Sequence, residues 1–135
     1  MASHSTTTSR VLYWHRRDLR LADNLGLMAA AEISPAVTGL YVLDPQLLNP
    51  PEHLPPMAPA RLWFLLESLV ELQQSWRDAG SRLLIVEGDP VALVPRLADR
   101  LGAEAVVWNR DVEPYARERD RQVARALQAD GRKLL

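Results

Sequence analysis

Charged side chains follow the first apolar run of the chain directly. Val11 to Trp14 are apolar, and the next positions hold four charged residues: Arg16, Arg17, Asp18 and Arg20. If the apolar run is a central strand of an open α/β sheet, these charges lie at its carboxyl end, where such sheets bind ligands. The alternative is a salt-bridged loop that only joins the strand to the helix after it.

Further charged residues are placed where they can meet a flat ligand. Asp44 ends the second apolar run, Arg61 lies in the first turn of a long amphipathic segment, and Asp111 and Glu113 follow the fourth run. Parallel strands end at one edge, so these groups can converge on one cleft. Carboxylates there accept hydrogen bonds from ring N–H or hydroxyl groups, and Arg61 can meet a carbonyl or an ionised oxygen, each worth about 1.5 to 3 kcal/mol. Together with apolar walls, they suit a flat heteroaromatic ligand.

The start of the long helix is unusual in two respects. Ala58, near the N-cap position, offers no side-chain acceptor, which leaves the first amides to water or to a ligand oxygen. Arg61 opposes the helix dipole, which favours acidic groups there. The connection from Pro45 to Pro59 holds six of the ten prolines and is longer than the usual 2 to 6 residues, which is typical of a binding element. A stiff spacer and an ion pair between Arg61 and a loop carboxylate are the alternatives.

Strand and helix patterns alternate along the chain. Short runs rich in Val, Leu, Ile and aromatic residues predict strands covered on both faces: Val11 to His15, Ala36 to Asp44, Arg82 to Gly88 and Glu104 to Asn109. A fifth strand, cut off, is predicted at Arg132 to Leu135. The fold class is therefore α/β, a doubly wound, Rossmann-like five-stranded parallel sheet with helices on both faces.

Four helices are predicted between these strands. They run from Asn24 to Glu32 with Asp23 as N-cap, from about Pro59 to Ala79 with Gly80 at the C-cap, from Pro90 to about Leu101 after the N-cap Asp89, and from Pro114 to about Gln128. Pro95 predicts a kink or a late start in the third helix. In the fourth, Arg117, Arg121 and Arg125 are interleaved with Glu118 and Asp120, which predicts a solvated face.

Composition limits the possible functions. The 135 residues suit one domain at 10–135, preceded by a disordered tail at 1–9 rich in Ser and Thr. A net charge of -1 argues against DNA binding by this segment alone. No cysteine is present, the three histidines lack ligand spacing, and no apolar run approaches the roughly 18 to 20 residues that span a bilayer. We therefore expect a cytoplasmic protein with no metal site and no membrane partner.

Several segments together resemble one known family. They are Trp14-His-Arg-Arg-Asp-Leu-Arg-Leu-Ala-Asp-Asn24, Met57-Ala-Pro-Ala-Arg61, Gly80-Ser-Arg-Leu-Leu84, Glu87-Gly-Asp-Pro90 and Trp108-Asn-Arg-Asp-Val-Glu-Pro-Tyr-Ala-Arg-Glu-Arg-Asp120. In their order, they are similar to the N-terminal α/β domain of the DNA photolyase/cryptochrome family, from about Arg10 onward. The resemblance is greatest to bacterial and cyanobacterial members that repair pyrimidine dimers.

The resemblance implies a light-harvesting domain. Such a domain holds an antenna chromophore and passes excitation to FAD in a second, helical domain, which also holds the damaged DNA. The variant motifs look like those of members that use 8-hydroxy-5-deazaflavin, with methenyltetrahydrofolate and FMN as alternatives. Carried over by motif, the chromophore contacts are Asp44, Arg61, Asp111 and Glu113, and the lining residues are Val42, Met57, Ala58 and Asn109. No catalytic residue is expected in this chain, which is a fragment of the carbon-carbon lyase if the resemblance holds.

Two other functions stay open at this point. The same domain could belong to a cryptochrome photoreceptor, which the sequence does not separate from a photolyase. A nucleotide-binding α/β module is the third possibility. Such a module carries a glycine-rich phosphate loop after its first strand, whereas His15 to Asp18 fill that place here without a glycine.

Overall fold

The strands and helices of the protein alternate in a computed structural model that describes residues 10–16, 18–45, 58–109, 114–131 and 133–134. Within these residues the strands are β1 (Arg10–His15), β2 (Ala36–Leu43), β3 (Leu83–Glu87), β4 (Ala103–Val107) and β5 (Lys133–Leu134). The helices are α1 (Leu25–Ile33), α2 (Pro59–Asp78), α3 (Pro90–Leu101) and α4 (Pro114–Ala129).

The five strands form one parallel sheet in the order β3-β2-β1-β4-β5. The chain builds outward from β1 to β3 and then crosses back to place β4 on the other side of β1. His15 at the end of β1 pairs with Tyr41 of β2, and Tyr13 pairs with Val107 of β4. The prediction of a doubly wound five-stranded sheet is confirmed. The strand order reverses beside β1, so the carboxyl ends of β1, β2 and β4 meet at the edge where such sheets bind ligands.

Alternate side chains of β1 enter two separate cores. Val11 and Tyr13 pack with α1 and α2, whose Trp76 is buried in the same cluster. Leu12 and Trp14 face the other side, where they pack with α3 and α4. A strand buried on both faces needs apolar or satisfied polar residues at every position, which explains the near-continuous apolar run in the sequence.

Gly39 lets Trp76 lie directly on β2. A Cβ atom at Gly39 would come within 2.5 Å of Cε2 of the Trp76 ring, closer than any real side-chain contact. The glycine is therefore required by close approach of an aromatic ring to the strand, a recognised role of glycine within strands.

The start of α1 differs from the prediction. Asn24, not Asp23, is the N-cap: its backbone is extended and its Oδ1 accepts a hydrogen bond of 3.1 Å from the amide of Leu27. Asp23 instead adopts a left-handed conformation with φ of 54°, which Asp tolerates better than most residues. The helix then begins at Leu25 and ends at Ile33, each one residue later than predicted.

The predicted bounds of α3 are confirmed, and one boundary of α2 differs. Of the two alternatives predicted at Pro95, a kink or a late start, the late start does not occur: α3 begins at Pro90, after the N-cap Asp89, and continues through Pro95. Pro95 has no N–H to bond to the Val91 carbonyl, and the helix tolerates this one missing hydrogen bond. The C-cap of α2 is Ala79, and Gly80 follows it with φ of 85°, the place where a glycine most often ends a helix.

Candidate functional site

The carboxylate of Asp18 is the centre of a buried polar network just beyond the end of β1. Its Oδ2 accepts hydrogen bonds from the Tyr13 hydroxyl, from Asn24 Nδ2 at 2.9 Å and from Asn109 Nδ2 at 3.0 Å. Its Oδ1 accepts the backbone amide of Arg16 at 2.9 Å. Burial raises the pKa of Asp18, but the hydrogen bonds from Tyr13, Arg16 and Asn24 outweigh burial and hold that pKa below its ordinary value.

Asn109 joins the end of β4 to this network. Its Nδ2 lies 2.9 Å from the Tyr13 hydroxyl and 2.9 Å from Asn24 Oδ1, as well as near Asp18. An amide nitrogen has two hydrogens, so these acceptors share them. Its Oδ1 occupies the space that a side chain on Gly26 would fill, 2.4 Å from an ideal Cβ there. The network thus connects β1, β4 and the first turn of α1.

His15 connects the end of β1 to α2. Its Nε2 accepts a hydrogen bond of 3.0 Å from Trp76 Nε1, and its Nδ1 lies 2.9 Å from the carbonyl oxygen of Asp18. Indole nitrogen only donates, so His15 is neutral here and carries its proton on Nδ1. Burial lowers the pKa of His15, which is fully inaccessible to solvent. These partners give His15 a structural role.

A second cluster of charges covers Trp14 on the opposite face of the sheet. The guanidinium carbon of Arg16 lies 5.0 Å from the centre of the Trp14 ring, and that of Arg119 lies 5.4 Å from it. Arg16 forms an ion pair of 2.7 Å with Asp120, and Arg119 lies 3.9 Å from Asp44. Because this cluster contains Asp44, a predicted chromophore contact, it belongs to the candidate site.

Asp44 and Asn109 lie at the same sheet edge, each just after a strand that pairs with β1. Asp44 is 6% exposed, so its carboxylate is largely removed from water. Val42 is also buried, in the core under α3 and α4. Ala58 and Arg61 are exposed at the start of α2, which the parallel topology places at this edge too. Met57, Asp111 and Glu113 lie outside the described residues.

The start of α2 has no side-chain cap. Ala58 is an extended N-cap without a side-chain hydrogen bond, as predicted, and Pro59 follows it. The carbonyl of Ala58 accepts the amides of Arg61 at 3.0 Å and Leu62 at 3.1 Å. A helix start of this kind carries partial positive charge, and Arg61 adds a full charge to it. The edge therefore presents positive groups from α2 and the Asp44 carboxylate from the end of β2.

The prediction that the charged face of α4 is solvated is partly wrong. Arg121 and Glu118 do form an exposed ion pair of 2.5 Å. Asp120, however, is only 13% exposed and pairs with Arg16, because α4 packs against the end of β1 there. The sequence reasoning also missed Arg119, whose spacing on the helix gave no sign that it faces the sheet edge.

The opposite, amino edge of the sheet carries an open groove of about 320 Å³, lined by Arg10, Pro35, Ser81, Arg82 and Leu101 among others. None of the predicted site residues lies in it. Among the described residues, no group of His, Asp or Glu side chains is arranged to hold a metal ion, and no helix is long and apolar enough to cross a membrane.

Comparisons with known proteins agree with the fold and with the motifs. The family model described as DNA photolyase matches residues 11–135. A deoxyribodipyrimidine photo-lyase of Synechococcus sp. is 55% identical over 121 residues, which cover 90% of this chain and 24% of that protein. The chain thus spans about a quarter of that relative's length.

Two solved structures share the fold. A cryptochrome of Synechocystis sp. superposes with a TM-score of 0.86 at 28% identity, covering 95% of this chain and 27% of that one. An archaeal photolyase of Sulfolobus tokodaii, solved with two FAD molecules, superposes with a TM-score of 0.83 at 28% identity, covering 93% of this chain and 28% of that one.

Proposed function

The chain belongs to the DNA photolyase family, and from this premise we propose that the carboxyl edge of its sheet binds a light-harvesting chromophore. In a full-length protein the chromophore would pass excitation to FAD in a helical domain, and that domain would repair pyrimidine dimers in DNA. This chain supplies no catalytic residue in the proposal. The proposal includes a cytoplasmic location, where such an enzyme meets its DNA.

One observation supports the proposal most strongly. Asp44 is a buried carboxylate at the carboxyl ends of the strands, beside β1, where the strand order reverses. Burying a charge is costly unless it is paired, and Arg119, whose guanidinium lies over the Trp14 ring, supplies an ion-pair partner 3.9 Å from Asp44. A buried acceptor at the ligand-binding edge of a doubly wound sheet suits the ring N–H or hydroxyl of a flat heteroaromatic ligand.

We propose 8-hydroxy-5-deazaflavin as the chromophore. Its contacts would be Asp44, Arg61, Asp111 and Glu113, and its walls would include Val42, Met57, Ala58 and Asn109. Asn109 would line the site as a neighbour of the dye, since its Nδ2 is directed to the Tyr13, Asp18 and Asn24 side chains. Methenyltetrahydrofolate and FMN are the alternatives, and the two FAD molecules of the archaeal photolyase make FAD a further one.

A cryptochrome photoreceptor is the second candidate function. The structural similarity to the Synechocystis cryptochrome is as close as that to photolyases. Both functions use the same chromophore edge, so the experiment on this chain tests what they share. Repair of dimer-containing DNA by a full-length protein would then separate a photolyase from a photoreceptor.

The test is a fluorescence titration of the purified chain with 8-hydroxy-5-deazaflavin and, separately, with ATP. We expect saturable binding of the deazaflavin and no response to ATP. Asp44→Ala, Arg61→Ala and Asp111→Ala should each weaken binding, roughly tenfold or more for a lost charged hydrogen bond. Arg82→Ala, at the amino edge, is the matched control for Arg61→Ala and should bind as the unmodified chain does. A response to ATP alone would favour the nucleotide-binding module and contradict the proposal.

A further inference from the structure

Helix α2 carries apolar side chains on two faces. Its inner face packs on the sheet through Leu69, Leu72 and Trp76. Its outer face exposes four large apolar side chains, which are Trp63 at 66%, Phe64 at 72%, Leu66 at 42% and Val70 at 66%. Trp63, Leu66 and Val70 follow the spacing i, i+3, i+7, so they form one stripe along the helix. Scattered exposed apolar residues are ordinary, whereas a helix that is apolar on both sides is typically covered on both.

The same layer of the molecule exposes further apolar side chains. α1 covers the same side of the sheet as α2, because both pack in the core that contains Tyr13. Its exposed large apolar side chains are Leu25, Met28 and Ile33. Ile85 of β3 is exposed on this side too, since its neighbours Leu84 and Val86 face the opposite core. These residues and the outer stripe of α2 make up the α1/α2 face, which holds every exposed large apolar side chain of the described residues.

The opposite layer has an ordinary solvated surface. The exposed side chains of α4 include Arg117, Arg121 and Arg125, and those of α3 include Arg96 and Arg100. Within the described parts of these two helices, no large apolar side chain is exposed. One side of the sheet is thus polar toward water and the other is apolar, which is typical of a surface that another polypeptide covers.

We propose that the α1/α2 face is the docking surface for the part of a full-length protein that lies beyond this chain. This chain covers 24% of the Synechococcus photo-lyase and 27% of the Synechocystis cryptochrome, so about three quarters of such a protein lies outside it. The inference rests on the proposed function for the identity of that part, the helical flavin domain. A domain attached to the same chain is present at high effective concentration, so a face of moderate size can hold it.

The position of the α1/α2 face suits that partner. Trp63 and Phe64 lie in the second turn of α2, close in sequence to Arg61, and Leu25 is the first residue of α1. Both helices begin at the carboxyl edge of the sheet, because each follows a parallel strand that ends there. A domain docked on these residues therefore lies beside the candidate chromophore site, and transfer of excitation requires such proximity.

A second copy of this chain suits the face less well. Glu67 is exposed beside the middle of the outer stripe of α2, between Leu66 and Val70. A symmetric dimer centred on that stripe would bring Glu67 of both copies to the same level. Like charges placed against each other oppose association.

Hydroxyl-radical footprinting read by mass spectrometry tests the proposal without the dye. It is applied to this chain and to a full-length protein in which the chain replaces the matching quarter of the Synechococcus photo-lyase. Oxidation of Met28, Trp63 and Phe64 should be rapid in the chain alone and fall at least about threefold in the full-length protein, because side chains in an interface core lose most of their contact with water. Trp76, which is 3% exposed, should be protected in both and so reports that the fold is intact.

Val70→Lys provides a second measurement. Lys has a higher helix propensity than Val and would follow Glu67 by one turn, so the thermal unfolding temperature of the chain alone should stay unchanged or rise slightly. In the full-length protein the new charge would be buried at the interface, and we expect the unfolding temperature to fall by about 4 °C or more. Gln122→Lys is the matched control: it places the same charge one turn after Glu118 at an exposed position of α4 and should change neither protein.

Undiminished oxidation of Met28, Trp63 and Phe64 in a folded full-length protein would overturn the inference, as would equal effects of Val70→Lys on the chain alone and on the full-length protein. Protection that appears only as the full-length protein is concentrated would assign the face to a second copy and overturn it too. If Trp76 is not protected in the chain alone, Val70→Lys and Gln122→Lys compared in the full-length protein decide. Failure to bind the dye would contradict the proposed function, and the footprint is independent of that result.

Discussion

Replacement of Asp18 by Asn should destabilise the protein far more than its small change in shape suggests. The Asp18 carboxylate accepts four hydrogen bonds, from Tyr13, Asn24, Asn109 and the amide of Arg16. An Asn side chain has one acceptor oxygen, and its NH₂ group would face a donor wherever it is placed. If the Asn oxygen accepts the hydrogen bonds from the three side chains, its NH₂ group faces the backbone amide of Arg16, and two donors then face each other.

The cost follows from these contacts. Leaving one buried donor without an acceptor costs about 1 to 3 kcal/mol, and the other three hydrogen bonds lose the extra strength that a charged acceptor gives. We therefore expect Asp18→Asn to lower the free energy of unfolding by about 3 to 5 kcal/mol. Urea denaturation followed by circular dichroism measures this quantity. The matched control is Asp23→Asn, the same chemical change at an exposed position with left-handed backbone, which should stay within about 0.5 kcal/mol.

The pH dependence of this difference gives a second check. The pKa of Asp18 is lower in the folded state than its ordinary value of 3.8, so its contribution is fully present above that value and is lost as pH falls through the folded pKa. The gap between the unmodified chain and Asp18→Asn should therefore be constant near neutral pH and shrink below about pH 4. A loss smaller than about 1 kcal/mol at neutral pH would refute the reasoning that the network depends on an ionised acceptor.

Three other changes test the described structure. His15 has a folded-state pKa below 6.5, so its contribution to the free energy of unfolding should be complete above pH 6.5 and decrease as the pH falls below that value. The decrease should correspond to the uptake of about one proton on unfolding, and denaturation curves of His15→Gln should lack it. Gly39→Ala should cost about 2 to 4 kcal/mol by displacing Trp76 and its hydrogen bond to His15, visible as a change in tryptophan fluorescence; unchanged fluorescence and stability would contradict the packing. Gly26→Ala would stabilise an ordinary helix by about 1 kcal/mol but should here destabilise by about 1 to 3 kcal/mol, because the added methyl displaces Asn109; a gain in thermal stability would be the opposite result.

The alternation of strands and helices was predictable because β1, β2 and β4 are buried on both faces and therefore appear as short apolar runs. The α1 cap was not. Asp23 and Asn24 are both good N-caps in sequence, and the choice of Asn24 depends on Asn109 and Asp18, which the fold brings to it.

The site was predictable only in part. Asp44 and Asn109 could be assigned to the sheet edge because each is the last residue of a predicted strand, and the structure places each just beyond the end of one. Arg119 and Asp120 could not, because their partners at Arg16 and Asp44 are distant in sequence, and a helical spacing does not show which charged face meets another element.

The central claim is that the dye binds at the carboxyl edge of the sheet. An NMR titration of the ¹⁵N-labelled chain with 8-hydroxy-5-deazaflavin tests it most directly, since backbone amides report on both edges at once. The account predicts the largest shifts at Asp44, Ala58 and Asn109. Shifts concentrated instead in the amino-edge groove, at Arg10 and Arg82, would contradict it.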